Sequence, residues 1–222
     1  MPKARRSYGW NPDRPDQRDL LFAAAAEILR ALPAAVDLRR AVYDQGPLGS
    51  CTANAIGAAV QFDLMRQKGK SFVPSRLFLY YNERRMEGTT ESDDGAALRD
   101  GIKSMARDGD CPEGLWPYDV GKFTVKPPDA CYKEALRHQA LKYQRVGRDL
   151  GQMRGCLAAG CPFAFGFTVY ESFEGAAVAR TGNAPLPRPA RGPWAGTRSS
   201  RSATTTARTV SCAATPGGPS GG

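Results

Sequence analysis

The sequence predicts an α+β chain, a helical part followed by a strand-forming part that the tail leaves incomplete. Three observations carry this. Segments with apolar residues at helical spacing follow one another between residues 51 and 159. Residues 162–170, Pro-Phe-Ala-Phe-Gly-Phe-Thr-Val-Tyr, then form an apolar run of strand length and read as a buried strand. From residue 184 the composition turns to Ala, Gly, Pro, Ser, Thr and Arg, with Leu186, Trp194 and Val210 as the large apolar exceptions. Such a tail cannot supply the strands that would close a second lobe. A chain of 222 residues with 41 % hydrophobic and 24 % charged residues has enough apolar surface for a real core.

Taken in order, residues 1–31 are an N-terminal arm. Gly9-Trp10-Asn11-Pro12-Asp13 and Pro15-Asp16-Gln17-Arg18-Asp19 read as turns and extended chain. Residues 20–31 predict a short helix with Asp19 as N-cap and Leu32-Pro33 as its stop. Residues 43–50 are an extended segment ending in a turn rich in glycine (Gly46, Pro47, Gly49). A helix opens at Cys51 and carries Ile56, Val60 and Leu64 on one side, with Phe62 beside them; it should stop at 68–70. Pro74-Ser75 starts the next helix, 76–86, whose Phe78, Tyr80 and Tyr81 read as core. Residues 87–94 are a polar loop in which the adjacent Asp93 and Asp94 read as a solvated acidic turn. Gly95 leads into a helix over 96–107, ended by Gly109. A loop at 126–130, a short helix at 131–139 and a helix at 150–159 capped by Asp149 and closed by Gly160 complete the helical lobe, 32–159. Residues 160–183 begin the β-rich lobe.

Chemistry concentrates at Cys51. At a helix N-terminus the unpaired N–H groups and the positive dipole end favour a thiolate, the nucleophilic form of cysteine. Gln45 lies six residues earlier, where its amide is able to act as an oxyanion donor. For Cys51 alone the alternative is a small buried hydrophobe. The other cysteines, 111, 131, 156, 161 and 212, show no zinc-ligand pattern, and the chain has one histidine, His138. No metal or cofactor is expected. Reduced thiols and a cytoplasmic location are expected, since no signal-type segment follows Met1-Pro-Lys-Ala-Arg-Arg directly. No apolar run reaches membrane-spanning length. Of the net charge of +9, five charges sit on Arg188, Arg191, Arg198, Arg201 and Arg208 in the tail, and no basic patch interleaved with aromatics stands out. Nucleic acid and membrane are therefore not expected partners.

Gln45-Gly46 and Gly49-Ser50-Cys51 resemble the active-site signature of the papain-like cysteine peptidases, in which Gln-Gly, a short turn and Gly-Ser-Cys open the central helix. Thr52 replaces the usual aromatic, and Leu48 replaces a cysteine of many secreted members. The resemblance runs from about residue 32 to about 183. It includes Leu32-Pro33 with Val36-Asp37-Leu38-Arg39, the helix after Ser75, Glu113 to Pro117-Tyr118, and Tyr170 with Phe173. It implies a two-lobed papain-like fold, a peptide or protein substrate, and peptide-bond hydrolysis through an acyl-enzyme. Cys51 would be the nucleophile and Gln45 the oxyanion donor, with Gly49, Ser50 and Gly95 binding substrate; for Gly95 a plain helix lead-in serves equally well. The arm reads as a pro-segment or as a brace.

The histidine and asparagine of this family should follow the nucleophile by about 130–150 residues, near about 181–201. No histidine stands there, and His138 lies upstream of the expected strand and reads as a surface or packing residue. The written chain thus lacks general base and orienter and is expected to be inactive. A binding module for extended peptides is the alternative. The tail has a second reading. Back-translated with GC-rich codons and read one frame over, Trp194 to Arg198 yields Gly-Gly-His-Ala, and Ala214 to Gly217 yields Asn-Ser-Trp-Gly. These are the family's two missing motifs, and they predict a lost base near codons 185–192.

Overall fold

A computed structural model of the chain describes residues 8–36, 38, 43–67, 72–140, 142–169, 173, 175–181, 183 and 201–205. Its centre is α2 (Cys51–Arg66) packed against α3 (Arg76–Glu87) and α4 (Leu98–Arg107). Leu77, Phe78, Leu79 and Tyr80 of α3 are fully buried, because α3 has a neighbour on each side. Tyr81 is half-buried. Ser75 caps α3 by accepting from the Phe78 N–H at 3.2 Å, and Gly88 ends it in the left-handed conformation (φ +75°). Ile56, Leu98, Met105, Cys111 and Trp116 complete this helical core.

A second, smaller core lies beside it. α6 (Leu150–Ala158), capped by the Asp149 carboxylate on the Gln152 N–H at 2.8 Å, brings Cys156 against Cys161, Phe163, Phe165 and the arm's Phe22. α5 (Asp129–Ala135) passes into a single 3₁₀ turn, Leu136–His138, as the short helix expected there. The result is the α+β architecture expected, with the strands short.

Several elements differ from expectation. The arm is not helical over 20–31. β2 (Leu21–Phe22) pairs in parallel with β4 (Arg145–Val146), and α1 covers Ala26–Arg30 alone. Asp19 caps nothing; it pairs with Arg99 at 2.6 Å and Arg145 at 3.0 Å. Earlier in the arm, β1 (Trp10–Asn11) pairs in parallel with β3 (Ala96–Ala97), so the helix expected from 96 begins two residues later. β5 spans Phe165–Val169 and is only partly buried before Val169. Its partner is an antiparallel strand, β6 (Arg201–Thr205), in the tail that was expected to supply none. Threonines fit a pleated backbone, and the open edge of β5 offers unpaired donors and acceptors to it. α7 (Ala176–Thr181) was not expected, although an alanine-rich run is a good helix former. Reduced thiols hold for Cys51, Cys111, Cys131 and Cys156 and fail at Cys161, which is disulfide-bonded; lone cysteines in sequence do not reveal their pairing. The expected helix stop at 68–70, Tyr170, and the tail at 184–200 and 206–222 lie outside the described residues.

Candidate active site

Cys51 is the first residue of α2 and is 2 % exposed. The turn before it is held from two sides. On one side the Asp93 carboxylate accepts the Gly49 N–H at 2.9 and 3.0 Å and the Tyr80 hydroxyl. Asp93 is therefore a buttress of the Cys51 turn, and the expected solvated acidic turn is confined to Asp94. On the other side the Asn54 amide donates to the Ser50 carbonyl at 2.9 Å and to Ser50 Oγ at 3.0 Å. Ser50 Oγ shares a hydrogen bond with the Tyr118 hydroxyl, and Tyr118 donates to the Gln45 carbonyl at 2.9 Å. Burial raises the Tyr118 phenol above its ordinary value, so it stays a neutral donor. The Gln45 side-chain amide donates to the Leu48 carbonyl at 2.9 Å, folding over its own loop. Gln45 thus folds onto the same turn that carries Gly49 and Ser50 into the start of α2.

Thr52, where an aromatic was usual, donates to Glu83 in the interior. Glu83 is fully buried, and desolvation pushes its carboxyl well above the ordinary range. The Thr52–Glu83 bond ties the start of α2 to the middle of α3. Arg84, also fully buried, fans its donors onto the carbonyls of Thr90 (2.7 Å), Ser92 (2.9 Å) and Phe123, and fixes the loop that presents Asp93.

Gly95 sits at φ +73°, and its candidate peptide-pairing surface is taken by the chain's own arm. The Ala96 N–H donates to the Gly9 carbonyl at 2.7 Å. Gly9 lies so close between Gly49 and Gly95 that a Cβ on it would stand 1.9 Å from the Gly49 carbonyl oxygen and 2.7 Å from Gly95 Cα. The next residue, Trp10, lays its indole on Gly166 of β5, where a Cβ would come within 2.0 Å of the ring. Beyond Trp10 is a cavity of about 510 Å³, lined among others by Leu98, Ile102, Val146, Phe165 and Phe167. Cys51 and Gln45 are not among its walls.

His138 stacks on Phe72 with ring centroids 4.5 Å apart and faces Glu134 at 3.6 Å, a packing role as expected. It is the chain's one histidine. Asp93, Asn54 and Tyr118, which hold the site, were not picked out from the sequence. The signal was faint, a polar residue at helical spacing behind Ser50 and a tyrosine after Trp116-Pro117.

No protein-family model matches the chain. It is 38 % identical over 211 residues to an uncharacterized peptidase C1-like protein of Acanthamoeba polyphaga mimivirus, covering 82 % of this chain and 68 % of that one. Among solved structures it resembles xylellain, a cysteine protease from Xylella fastidiosa, at a TM-score of 0.76 and 40 % identity over 90 % of this chain and 79 % of that one. A procathepsin B from Trypanosoma congolense shares the fold at a TM-score of 0.61 and 15 % identity, over 73 % of this chain and 60 % of that one. With Gly49-Ser50-Cys51 opening a buried helix and relatives of this likeness along most of its length, the chain belongs to the papain-like cysteine peptidases.

Proposed function

We propose that Cys51 is the nucleophile of a peptide-hydrolysing site and Gln45 its oxyanion donor, with the cleft running between Gly49 and Gly95. The placement of Cys51 at the mouth of α2, behind a turn anchored at Gly49 and Ser50, carries this reading. In the reaction the Cys51 sulfur adds to the scissile carbonyl carbon and the carbonyl electrons move onto oxygen. Backbone N–H at the helix mouth and the Gln45 amide receive that charge. Collapse breaks the C–N bond and the amine leaves with a proton; water then hydrolyses the thioester. A histidine must take the thiol proton and return it to the amine. With His138 on Phe72 the written chain has none in that role, and its turnover is negligible.

The Gly9–Trp10 segment lying along Ala96–Ala97 supports a further point: this surface takes extended backbone, and the arm withholds it from substrate. A peptide-binding module built on the same cleft is the second reading, favoured by that same pairing. The test is covalent labelling of the intact chain by a peptidyl vinyl sulfone, with the adduct located by mass spectrometry, alongside a peptide-cleavage assay. The expected result is adduct on Cys51 and no cleavage above background. Peptide affinity with no adduct moves the assignment to the binding module, and strong cleavage overturns the reading of the written chain as inactive.

A further inference from the structure

On the Ser50 side of the turn, the groups that hold Gln45 and the start of α2 lead back to one side chain that the proposed chemistry leaves unused. Arg76 is the first residue of α3, 9 % exposed, and a cation at a helix N-terminus faces the wrong end of the dipole. It is kept there by a bidentate pair with Glu113, at 2.9 and 3.2 Å, and by the rings of Tyr43 and Tyr118, whose centroids lie 4.6 and 4.2 Å from the guanidinium carbon. Its remaining donor atom, Nη1, reaches the Asp44 carbonyl and Asn54 Oδ1, both at 3.1 Å.

Those two acceptors flank the turn that carries Gly49 and Ser50, Asp44 before it and Asn54 in the first turn of α2. Arg76 donates only, so the Asn54 oxygen must face it and the Asn54 NH₂ must face Ser50. The Ser50 hydroxyl, already accepting from Asn54, then turns its proton to Tyr118, which spends its own on the Gln45 carbonyl. The guanidinium at one end and the Ser50 and Gln45 carbonyls, which only accept, therefore agree on one direction for the hydrogen bonds from Asn54 round to Gln45. Its bond to Asp44 pins the peptide next to Gln45 independently.

We propose that Arg76 is a positioning residue for the oxyanion site: through Asn54, Ser50 and Tyr118 on one path and Asp44 on the other, it holds Gln45 in register with the N-terminus of the Cys51 helix. This rests on the reading of Cys51 as nucleophile and Gln45 as oxyanion donor. Lysine does not replace it, because a single ammonium lacks the planar fork that meets Glu113, Asp44 and Asn54 together.

The test uses the full chain and N-acetylglycinal, an aldehyde too small to need the rest of the cleft. The Cys51 sulfur adds reversibly to its carbonyl carbon, the thiol proton ends on oxygen, and the resulting hemithioacetal places that oxygen at the oxyanion donors. Affinity is read from protection of Cys51 against iodoacetamide, and the alkylation rate without aldehyde is the control for the thiol itself. For Arg76→Met and Arg76→Lys, aldehyde affinity is expected to fall about ten- to a hundredfold, the order of a misplaced catalytic group, with the alkylation rate within about twofold of the parent. Glu113→Gln, which leaves Arg76 in place but loosens its fork, should move in the same direction by less and serves if the Arg76 variants do not fold. Folded variants that bind the aldehyde as tightly as the parent, or that lose affinity and thiol reactivity in equal proportion, overturn the proposal. If the aldehyde gives Cys51 of the parent no protection, the nucleophile reading fails first and takes this inference with it.

Discussion

Burial raises the carboxyl of Glu83 well above its ordinary 4.5 and that of Asp110 well above its ordinary 3.8. Both are fully buried, and for Asp110 the backbone hydrogen bonds of Cys111 and Ser75 offset the desolvation only in part. The folded state thus favours the protonated forms. The stability this contributes is complete below the unfolded values and is lost as the pH rises through the folded ones. The urea midpoint of the chain should fall as the pH rises above the ordinary carboxylate range, and Glu83→Gln, which mimics the protonated acid, should flatten that fall. A variant as pH-sensitive as the parent contradicts the assignment. Asp93 accepts from the Gly49 N–H and the Tyr80 hydroxyl. Asp93→Ala leaves both donors inside the fold and should cost about 1–3 kcal/mol in urea denaturation, with the loss carried to the Cys51 turn as slower labelling. Cys51, Gln45 and His138 were legible from residue type and spacing. Asp93 was not, because an acidic pair in a polar loop looks the same whether or not a buried amide lies opposite.

At the scale of elements the arm is the informative piece. Its docking combines backbone pairing at Gly9–Asn11, the Trp10 ring on Gly166, and carboxylates at Asp13, Asp16 and Asp19 gathered on Arg99. Gly9→Ala puts a methyl into the Gly49 carbonyl and should lift the arm from the cleft. Losing about 1.4 kcal/mol of docking means tenfold more open chain, read as a tenfold faster alkylation of Cys51. An unchanged rate means that the arm does not guard the thiol. The helix expected at 20–31 failed for a related reason. Leu21 and Phe22 score as helix formers, but Phe22 reaches the second core only if its backbone pairs with Arg145–Val146. That partner lies more than a hundred residues away, beyond any local propensity. The helices α3 and α6 were legible because their caps are local, and α2 because its apolar spacing is.

For the whole molecule the open matter is the second lobe. Among the described residues its core is Cys156, Cys161 and Phe163 with the residues packed on them, and β5 has one strand beside it, β6. A lobe built on so little apolar surface should melt before the helical one. Circular dichroism at 222 nm and tryptophan fluorescence are expected to give transitions that do not coincide. A single coincident transition argues against it. Reading the gene across codons 180–222 in all three frames tests the frame-shift expectation: a missing base would restore the His and Asn motifs, and stops in the other frame would discard them. The sequence by itself determined the family signature at 45–51, the helices that bear it, and the lack of a second histidine, because motif, cap and spacing act over a few residues. The tertiary structure alone decided that the arm lies along Ala96–Ala97, that Asp93 and Arg76 grip the turn before Cys51, and that Glu83 is buried. Each of these depends on which distant groups share a dry interior, and local chain preferences carry no record of that.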